Sequence, residues 1–499
     1  MSSTEFDHDF FYRGRAADQI LVPQSVDEAY RQLRKALAEG ECLVARGGGM
    51  SYTGGYIIND SRRSSLVDLR QLTGIDIDNL EDGWVVVDAG VTWEALRAAL
   101  LPLGRRSTFG GPLSGLKSTV GGGVSQNAAF WGSGRTGSAA EGTLGLEVLL
   151  ADGSSLRTGV LSRGHSGRAR YFGPDFTGLF VGDCGRFGIK LRIALAVEPL
   201  PAISDSASFA FDSADALLNT MTRVAKQRLV AQQVGFDPLL ANLRARRSSF
   251  SEDFRTLSRV LRGSGTLLKG LRNATEISLA GRSFLEDAGF SLHVMCEADD
   301  PAGVAAKLAH VRALAAEVGA KEIDNSVPKI MLAAPFTPLN GILGPNGERW
   351  VPVHGLFTHS NAAAAYGDYL NVLRTHDSAL QNFGITSAAL FSAVGAETIL
   401  MEPMFFWEDS LEPLHYSTLE EKVRKRIPIN PDNEAARQQV ATLRKAVIDA
   451  WEPRGAGHFQ VGRAYPYADR LDPAQRQLLD GWLAAIDPER RMNPGVLGV

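Results

Sequence analysis

Cys42-Leu43-Val44-Ala45-Arg46-Gly47-Gly48-Gly49-Met50-Ser51-Tyr52-Thr53-Gly54-Gly55 is the stretch on which the reading of this chain turns. Its first four residues form a short apolar run with the length and character of a buried strand. That strand enters a glycine-rich loop at once. Glycine has no side chain, so the backbone there can approach a ligand closely and turn its N–H groups inward as an anion nest. A strand running into Arg46-Gly47-Gly48-Gly49-Met50-Ser51 suits a pyrophosphate, although one such cluster also reads as a run of tight turns. Two more clusters follow at predicted strand ends, Gly110 to Gly145 and Gly182-Asp183-Cys184-Gly185-Arg186-Phe187-Gly188. Three clusters before residue 190 point to a large phosphorylated cofactor. A Rossmann fingerprint is the rival, but Tyr52 stands where its third glycine belongs, and Tyr56-Ile57-Ile58-Asn59-Asp60 does not read as the helix that must follow.

Outward from the loop, residues 1–20 read as a polar arm, and Ala29–Glu39 as a helix capped by Ser25 or Asp27. Strands are predicted at Ser65–Asp68 and Trp84–Asp88, and a helix at Thr92–Leu101. Asp152-Gly153 between apolar runs predicts a hairpin of Leu146–Ala151 with Ser154–Thr158. Another strand, Ile189–Val197, runs to Pro199 and Pro201, where a domain boundary is placed. Beyond it, helices (Ala214–Gln227, Ala302–Val318, Asn361–Phe383) alternate with strands (Phe290–Met295, Trp350–Phe357, Ile399–Phe406). This alternation predicts an α+β unit with one sheet and helices on one face. A helix at Pro473–Ile486 and a turn at Asn493-Pro494-Gly495 end the chain.

Composition narrows the function class. The 499 residues carry 52 Lys+Arg and 56 Asp+Glu, a net charge of −4, which argues against a dedicated nucleic-acid binder. Three scattered cysteines, Cys42, Cys184 and Cys296, fit a reduced compartment and neither a disulfide framework nor a zinc site. The N-terminus lacks the apolar core of a secretory signal and no run of 18 apolar residues occurs, so a cytoplasmic protein is expected. One basic stretch, Leu243–Arg272, reads either as a solvated amphipathic helix or as a surface touching an anionic membrane or a partner.

Taken in order, these motifs resemble the flavoprotein oxidoreductases of the vanillyl-alcohol oxidase/p-cresol methylhydroxylase (PCMH) type, from about Ile20 to Gly498. Arg46–Gly55 resembles the first FAD loop, Pro112–Asn127 the second, and Gly134–Gly153 its continuation into the hairpin. Phe180–Ile189 resembles the segment at the adenine–ribose end, and Asn493-Pro494-Gly495 the C-terminal turn that returns to the flavin domain. The resemblance implies an α+β fold in three parts. Residues 1–200 would form a two-subdomain PCMH-type FAD-binding domain. Residues 201–455 would form a substrate cap with an antiparallel sheet covered by helices, and residues 456–499 a returning segment. The cofactor residues it implies are Arg46, Gly47, Gly48, Gly49, Met50, Ser51, Tyr52, Pro112, Thr119, Gly121, Gly122, Ser125, Asn127, Gly134, Gly137, Ser138, Gly182, Gly185, Gly188, Ile189 and Asn493. Relatives that bind FAD covalently use a His in the first loop, where Met50 stands, a His or Tyr near Thr398–Met401, where neither stands, or a Cys where Ser125 or Gln126 stands. Non-covalent FAD is therefore expected.

The family's chemistry is hydride transfer from a substrate carbon to flavin N5. In the phenol-oxidising branch a Tyr/Tyr/Arg clamp grips the phenolate. Tyr52 matches the first Tyr, but Phe459 and Gln460 stand at the other two positions and Ser138 at the acid's position. An alcohol or a 2-hydroxy acid such as D-lactate or glycolate is thus the leading expectation, phenolic (vanillyl-type) alcohols the alternative, and a non-catalytic flavin-binding protein the reading from another class. Oxidation of an alcohol needs a base for the hydroxyl proton. His458 is the first candidate, His354 the second; Glu402, alone in an apolar stretch, and Tyr52 complete the catalytic set. Arg349 and Arg463 are candidates to bind a carboxylate, with Tyr465 as a hydroxyl donor. No metal-ligand spacing is present. The expected partners are a small-molecule substrate and an electron acceptor, either O2, a quinone or an electron-transfer protein. Peripheral membrane contact and a homodimer are also in view.

Overall fold

The computed structural model describes residues 5–162, 169–171, 173–241, 289–344 and 346–499. The basic stretch Leu243–Arg272 lies outside the described residues.

Strand β1 (Gln19–Leu21) leads to helix α1 (Val26–Ala38), whose first turn is capped by the Ser25 hydroxyl accepting from the Glu28 N–H. Buried Ala29, Leu33, Ala36 and Leu37 lie along one face of α1. Strands β2 (Cys42–Arg46) and β3 (Ser64–Asp68) follow, and the three strands form a parallel sheet in the order β1-β3-β2. Next come β4 (Ile75–Asp76), β5 (Trp84–Asp88), helix α2 (Trp93–Leu100), β6 (Arg105–Ser107), helix α3 (Val120–Ser125), β7 (Thr143–Leu149), β8 (Ser155–Arg157) and β9 (Ile189–Pro199). The six strands among them form an antiparallel sheet in the order β4-β5-β9-β7-β8, with β6 also paired to β9.

From β9 the chain passes almost directly into β10 (Ile203–Phe211). It continues through helix α4 (Ala214–Lys226), β11 (Gln232–Phe236), β12 (Phe290–Ala298), α5 (Pro301–Ala316), β13 (Lys321–Ile323), α6 (Ser326–Ala333), β14 (Arg349–Pro352) and β15 (Gly355–Thr358). Helices α7 (Ala362–Thr375) and α8 (Asp377–Asn382), strands β16 (Thr386–Val394) and β17 (Thr398–Trp407), and helices α9 (Glu434–Trp451) and α10 (Pro473–Ile486) complete it. Strands β10–β17 form an eight-stranded antiparallel sheet in the order β13-β10-β12-β11-β16-β17, with β14 and β15 both paired to β17. The period-2 alternation of a strand sorts its side chains by face. Met401, Phe405 and Trp407 of β17 join Phe391, Val351 and Val353 in the core under α4, α5, α7 and α9. Glu402, Met404 and Phe406 point the other way, toward the glycine-rich loops.

Three expectations need correction. The single strand Trp350–Phe357 is two, β14 and β15. Their pairing to β17 keeps one register, but Pro403, which would face Val353, has no N–H to donate, so only the Val353 N–H···O=C Pro403 bond (2.7 Å) spans the gap. The helix Asn361–Phe383 breaks at His376, whose Nδ1 lies 2.9 Å from the Val372 carbonyl oxygen. The polar arm is not solvated. Phe6, His8, Asp9 and Phe10 are buried, and Phe10 reaches the central cavity.

Candidate cofactor and active site

The first two glycine loops are built against each other. Thr119 caps α3 through its hydroxyl, which accepts from the Gly122 N–H at 3.2 Å. A Cβ on Gly47 would sit 2.2 Å from that hydroxyl, and a Cβ on Gly48 only 1.9 Å from the Lys117 carbonyl oxygen. These glycines therefore let two backbones touch, and the ligand-facing surface is what the contact leaves over. Gly121 is held the same way against Ala89. Gly122 and Gly185 are different, with nothing closer than 3.3 Å and 4.0 Å to their absent Cβ, and both face the cavity. The third loop is fastened to the end of α3: Gly182 N–H donates to Val124 O (3.0 Å) and Cys184 N–H to Ser125 O (2.8 Å).

The cavity between these loops and the eight-stranded sheet has a volume of about 370 Å³. On the loop side the backbone N–H groups of Gly48, Gly49, Met50 and Ser51 donate to no acceptor among the described residues. The Ser118 hydroxyl and the Nε of Arg46 are buried and unpartnered. Arg46 is 2% exposed, lies between the rings of Phe6 and Tyr56 at 5.0 and 5.4 Å, and has no carboxylate partner among the described residues. A buried cation beside free N–H groups is a strong anion acceptor.

The opposite wall is apolar: Val234, Phe236, Trp350, Leu390, Met404 and Phe406. Glu402 stands among them, half-buried, its carboxylate making no hydrogen bond or ion pair to any described residue. Burial alone pushes its carboxyl up to about 7. Tyr52 lies nearby, its ring edge-on to Trp350 (5.5 Å) and His354 (5.9 Å). Its hydroxyl is held well above the usual phenol range by burial and then by the Glu402 charge. Phe459 and Gln460 complete this end of the cavity.

The histidines are placed otherwise than their sequence suggested. His354 stands directly opposite Glu402 in the strand register, yet its ring is covered, stacked on Phe459 (4.1 Å) and tilted against Tyr465 (4.9 Å). Neither of its ring nitrogens has a partner, and burial holds its basicity well below the usual imidazole range. His458 stacks behind Tyr465 at 4.2 Å, with Nδ1 2.8 Å from the His354 carbonyl oxygen, and burial pulls it down to about 4. Neither His lines the cavity, nor does Tyr465, whose hydroxyl accepts from the His354 N–H at 2.9 Å. Arg349 is committed to the Phe10 carbonyl (3.1 Å) and Asp409 (3.5 Å), and Arg463 to the carbonyls of Gly54 (2.9 Å) and Pro494 (2.6 Å). Both are outside the lining.

Of the expected cofactor residues, those from Arg46 to Tyr52 line the cavity, with Pro112, Thr119, Gly121, Gly122, Ser125, Gly185, Gly188 and Ile189. Asn127, Gly134, Gly137, Ser138, Gly182 and Asn493 do not. Ser138 pairs with Glu141 at 2.8 Å, and Asn127 accepts from the Ala140 N–H at 3.0 Å. Asn493 clamps the carbonyls of Gly55 (2.7 Å) and Cys184 (2.6 Å), so it secures two loops from behind. Residues missed from the sequence include Phe10, Trp131 and the α6 segment with Met331 and Pro335. No motif marks these; they reach the cavity only through tertiary packing.

Residues 17–159 match the family described as FAD binding domain. Among curated proteins, the chain is 27% identical over 224 residues to glycolate oxidase subunit GlcD of Bacillus subtilis, covering 44% of this chain and 45% of that one. It is 27% identical over 240 residues to the probable mitochondrial D-lactate dehydrogenase of Danio rerio, covering 46% and 45%. The chain thus spans about half the length of the curated relatives it matches. Among solved structures, p-cresol methylhydroxylase with substrate bound superposes with a TM-score of 0.73 at 15% identity, over 100% of this chain and 92% of the other. For 4-ethylphenol oxidase from Gulosibacter chungangensis the TM-score is 0.67 at 16% identity, with the same coverage. At these identities the structural likeness speaks to the fold. The free N–H row, the unpartnered Arg46 Nε and Ser118 hydroxyl, and the open faces of Gly122 and Gly185 fit a dinucleotide with a doubly charged pyrophosphate.

Proposed function

As the chain belongs to the PCMH-type family of FAD-binding proteins, with FAD as its cofactor, we propose that it oxidises the CH–OH group of an uncharged, largely apolar or aromatic alcohol. FAD, when bound, supplies the two-electron acceptor for hydride leaving the substrate carbon. The single observation that carries the reading is Glu402, an unpaired carboxylate in an otherwise apolar wall. As general base it takes the hydroxyl proton while the carbon loses hydride, leaving a carbonyl product. Gln460 and Tyr52 offer donors to the substrate oxygen, and the Val234–Phe406 wall takes the apolar body and excludes water. Arg46, Ser118 and the N–H groups of Gly48–Ser51 hold the pyrophosphate.

The charge pattern selects against a carboxylate. Among the described residues, no Arg, Lys or His lines the cavity from the eight-stranded sheet or the returning segment. A hydroxy-acid anion there would meet Glu402 without a counter-charge. A para-alkylphenolate is also poorly matched, because Phe459 offers no donor and Gln460 only a neutral amide. The second reading, a 2-hydroxy acid, has the names of the curated relatives in its favour. Anaerobic mixing of the flavoprotein with a panel of alcohols and acids separates the two. Bleaching of the flavin by benzylic or alkyl alcohols, without bleaching by glycolate or D-lactate, is the expected result. Bleaching by the acids alone overturns it, and a flavin inert to the whole panel favours a binding protein without turnover. The electron acceptor, O2, a quinone or an electron-transfer protein, is then read from which of them reoxidises the bleached flavin.

A further inference from the structure

The N-terminal segment, residues 6–12, is clasped to the outer side of the first glycine loop. Its centre is Asp9, which is fully buried and has no ion pair among the described residues. One carboxylate oxygen accepts from the N–H groups of Phe11 (2.8 Å) and Tyr12 (2.6 Å), which folds the segment back on itself. The other accepts from the N–H of Gly54, inside the loop, at 2.7 Å. Phe10 N–H donates to the Ser51 carbonyl at 3.0 Å, and the Tyr56 hydroxyl lies 2.8 Å from the His8 carbonyl oxygen. On its far side the segment is gripped by the eight-stranded sheet and its helices. Arg349 of β14 binds the Phe10 carbonyl, while Arg444 of α9 lies 4.5 Å over the Phe11 ring and 3.3 Å from the Tyr12 hydroxyl.

We propose that Asp9 is a positioning residue for the cofactor: through Gly54 it sets the backbone of Gly48–Ser51 so that their unpartnered N–H groups face the pyrophosphate. The loop has glycine at 47, 48, 49, 54 and 55 and little conformational preference of its own. Two backbone groups on its outer edge, the Gly54 N–H and the Ser51 carbonyl, and the Tyr56 hydroxyl just beyond it are taken by the arm, and this holds the inner edge preformed. The proposal rests on the cofactor alone and holds whatever the substrate is.

The test is FAD binding by Asp9→Ala and Asp9→Asn, measured by titrating flavin-stripped protein. Losing a buried, charge-assisted bond predicts a Kd raised about tenfold or more. A purely structural Asp9 lowers the melting temperatures of flavin-free and FAD-loaded protein alike, whereas a positioning Asp9 narrows the gap between them. A Kd within twofold of wild type in a folded variant overturns the proposal. Hydrogen exchange on the unmodified protein decides the matter if neither variant folds. FAD is expected to slow the amides of residues 6–12 together with those of 46–56, and an arm whose exchange ignores FAD overturns the proposal equally.

Discussion

Glu402 was legible as an acid out of place, a carboxylate in Leu400-Met401-Glu402-Pro403-Met404, though a buried ion pair was its more ordinary fate. Only the sheet geometry shows that no cation among the described residues reaches it. Its chemistry has a pH signature. As a base it works when ionised, so kcat/KM should rise through about pH 7 and fall away below it. Glu402→Gln should lower kcat by about 10²–10⁴-fold, flatten that profile, and leave the flavin bound. Linkage gives the opposite sign for stability. The folded state keeps this proton above the ordinary carboxyl range, so Glu402 weakens the fold as pH rises from about 4.5 toward 7, and the Gln variant should lose that slope in urea melts. The histidines went the other way. His354 and His458 carry the right chemistry for a base, but burial keeps them neutral and aromatic rings wall them off.

At the scale of elements, the strand-to-glycine-loop junctions were readable because a buried apolar run and a glycine cluster have unambiguous local meanings. The reason for each glycine was not readable. Gly48 admits a neighbouring backbone, whereas Gly122 faces the cavity. The two should therefore respond differently to alanine. Gly48→Ala places its Cβ against Lys117 O, so both the fold around the loops and the yellow colour should suffer. Gly122→Ala should keep the melting temperature of flavin-free protein close to wild type while weakening FAD binding, as followed by flavin fluorescence. The broken strand at Val353–His354 shows the same limit. The break comes from Pro403 on the partner strand, which nothing within Trp350–Phe357 itself marks.

For the whole molecule, the cavity is a joint product of sheets that lie far apart in sequence. One clamp holds them in register. Arg106 of β6 binds Glu297 of β12 through two bonds of 2.6 Å and Glu198 of β9 through one of 2.8 Å. Arg106→Ala should cost about 1–3 kcal/mol, read from the urea midpoint, because it strips three charge-assisted bonds from a largely buried guanidinium. The two arginines expected to bind a substrate carboxylate, Arg349 and Arg463, serve this same scale: each ties backbone from one part of the chain to another.

The sequence by itself determined the α+β class, the strands that run into the glycine loops and the cofactor class. These depend on local patterns, apolar runs and glycine clusters, and each keeps its meaning wherever it sits in space. Tertiary structure alone decided what surrounds Glu402, which charged groups line the cavity and what the N-terminal arm touches. Each of those depends on what stands opposite. The Glu402 carboxylate is unpaired because no cation among the described residues stands beside it, Arg349 is committed because Phe10 offers it a carbonyl, and the buried Asp9 is satisfied because Gly54, forty-five residues on, has an N–H to give it.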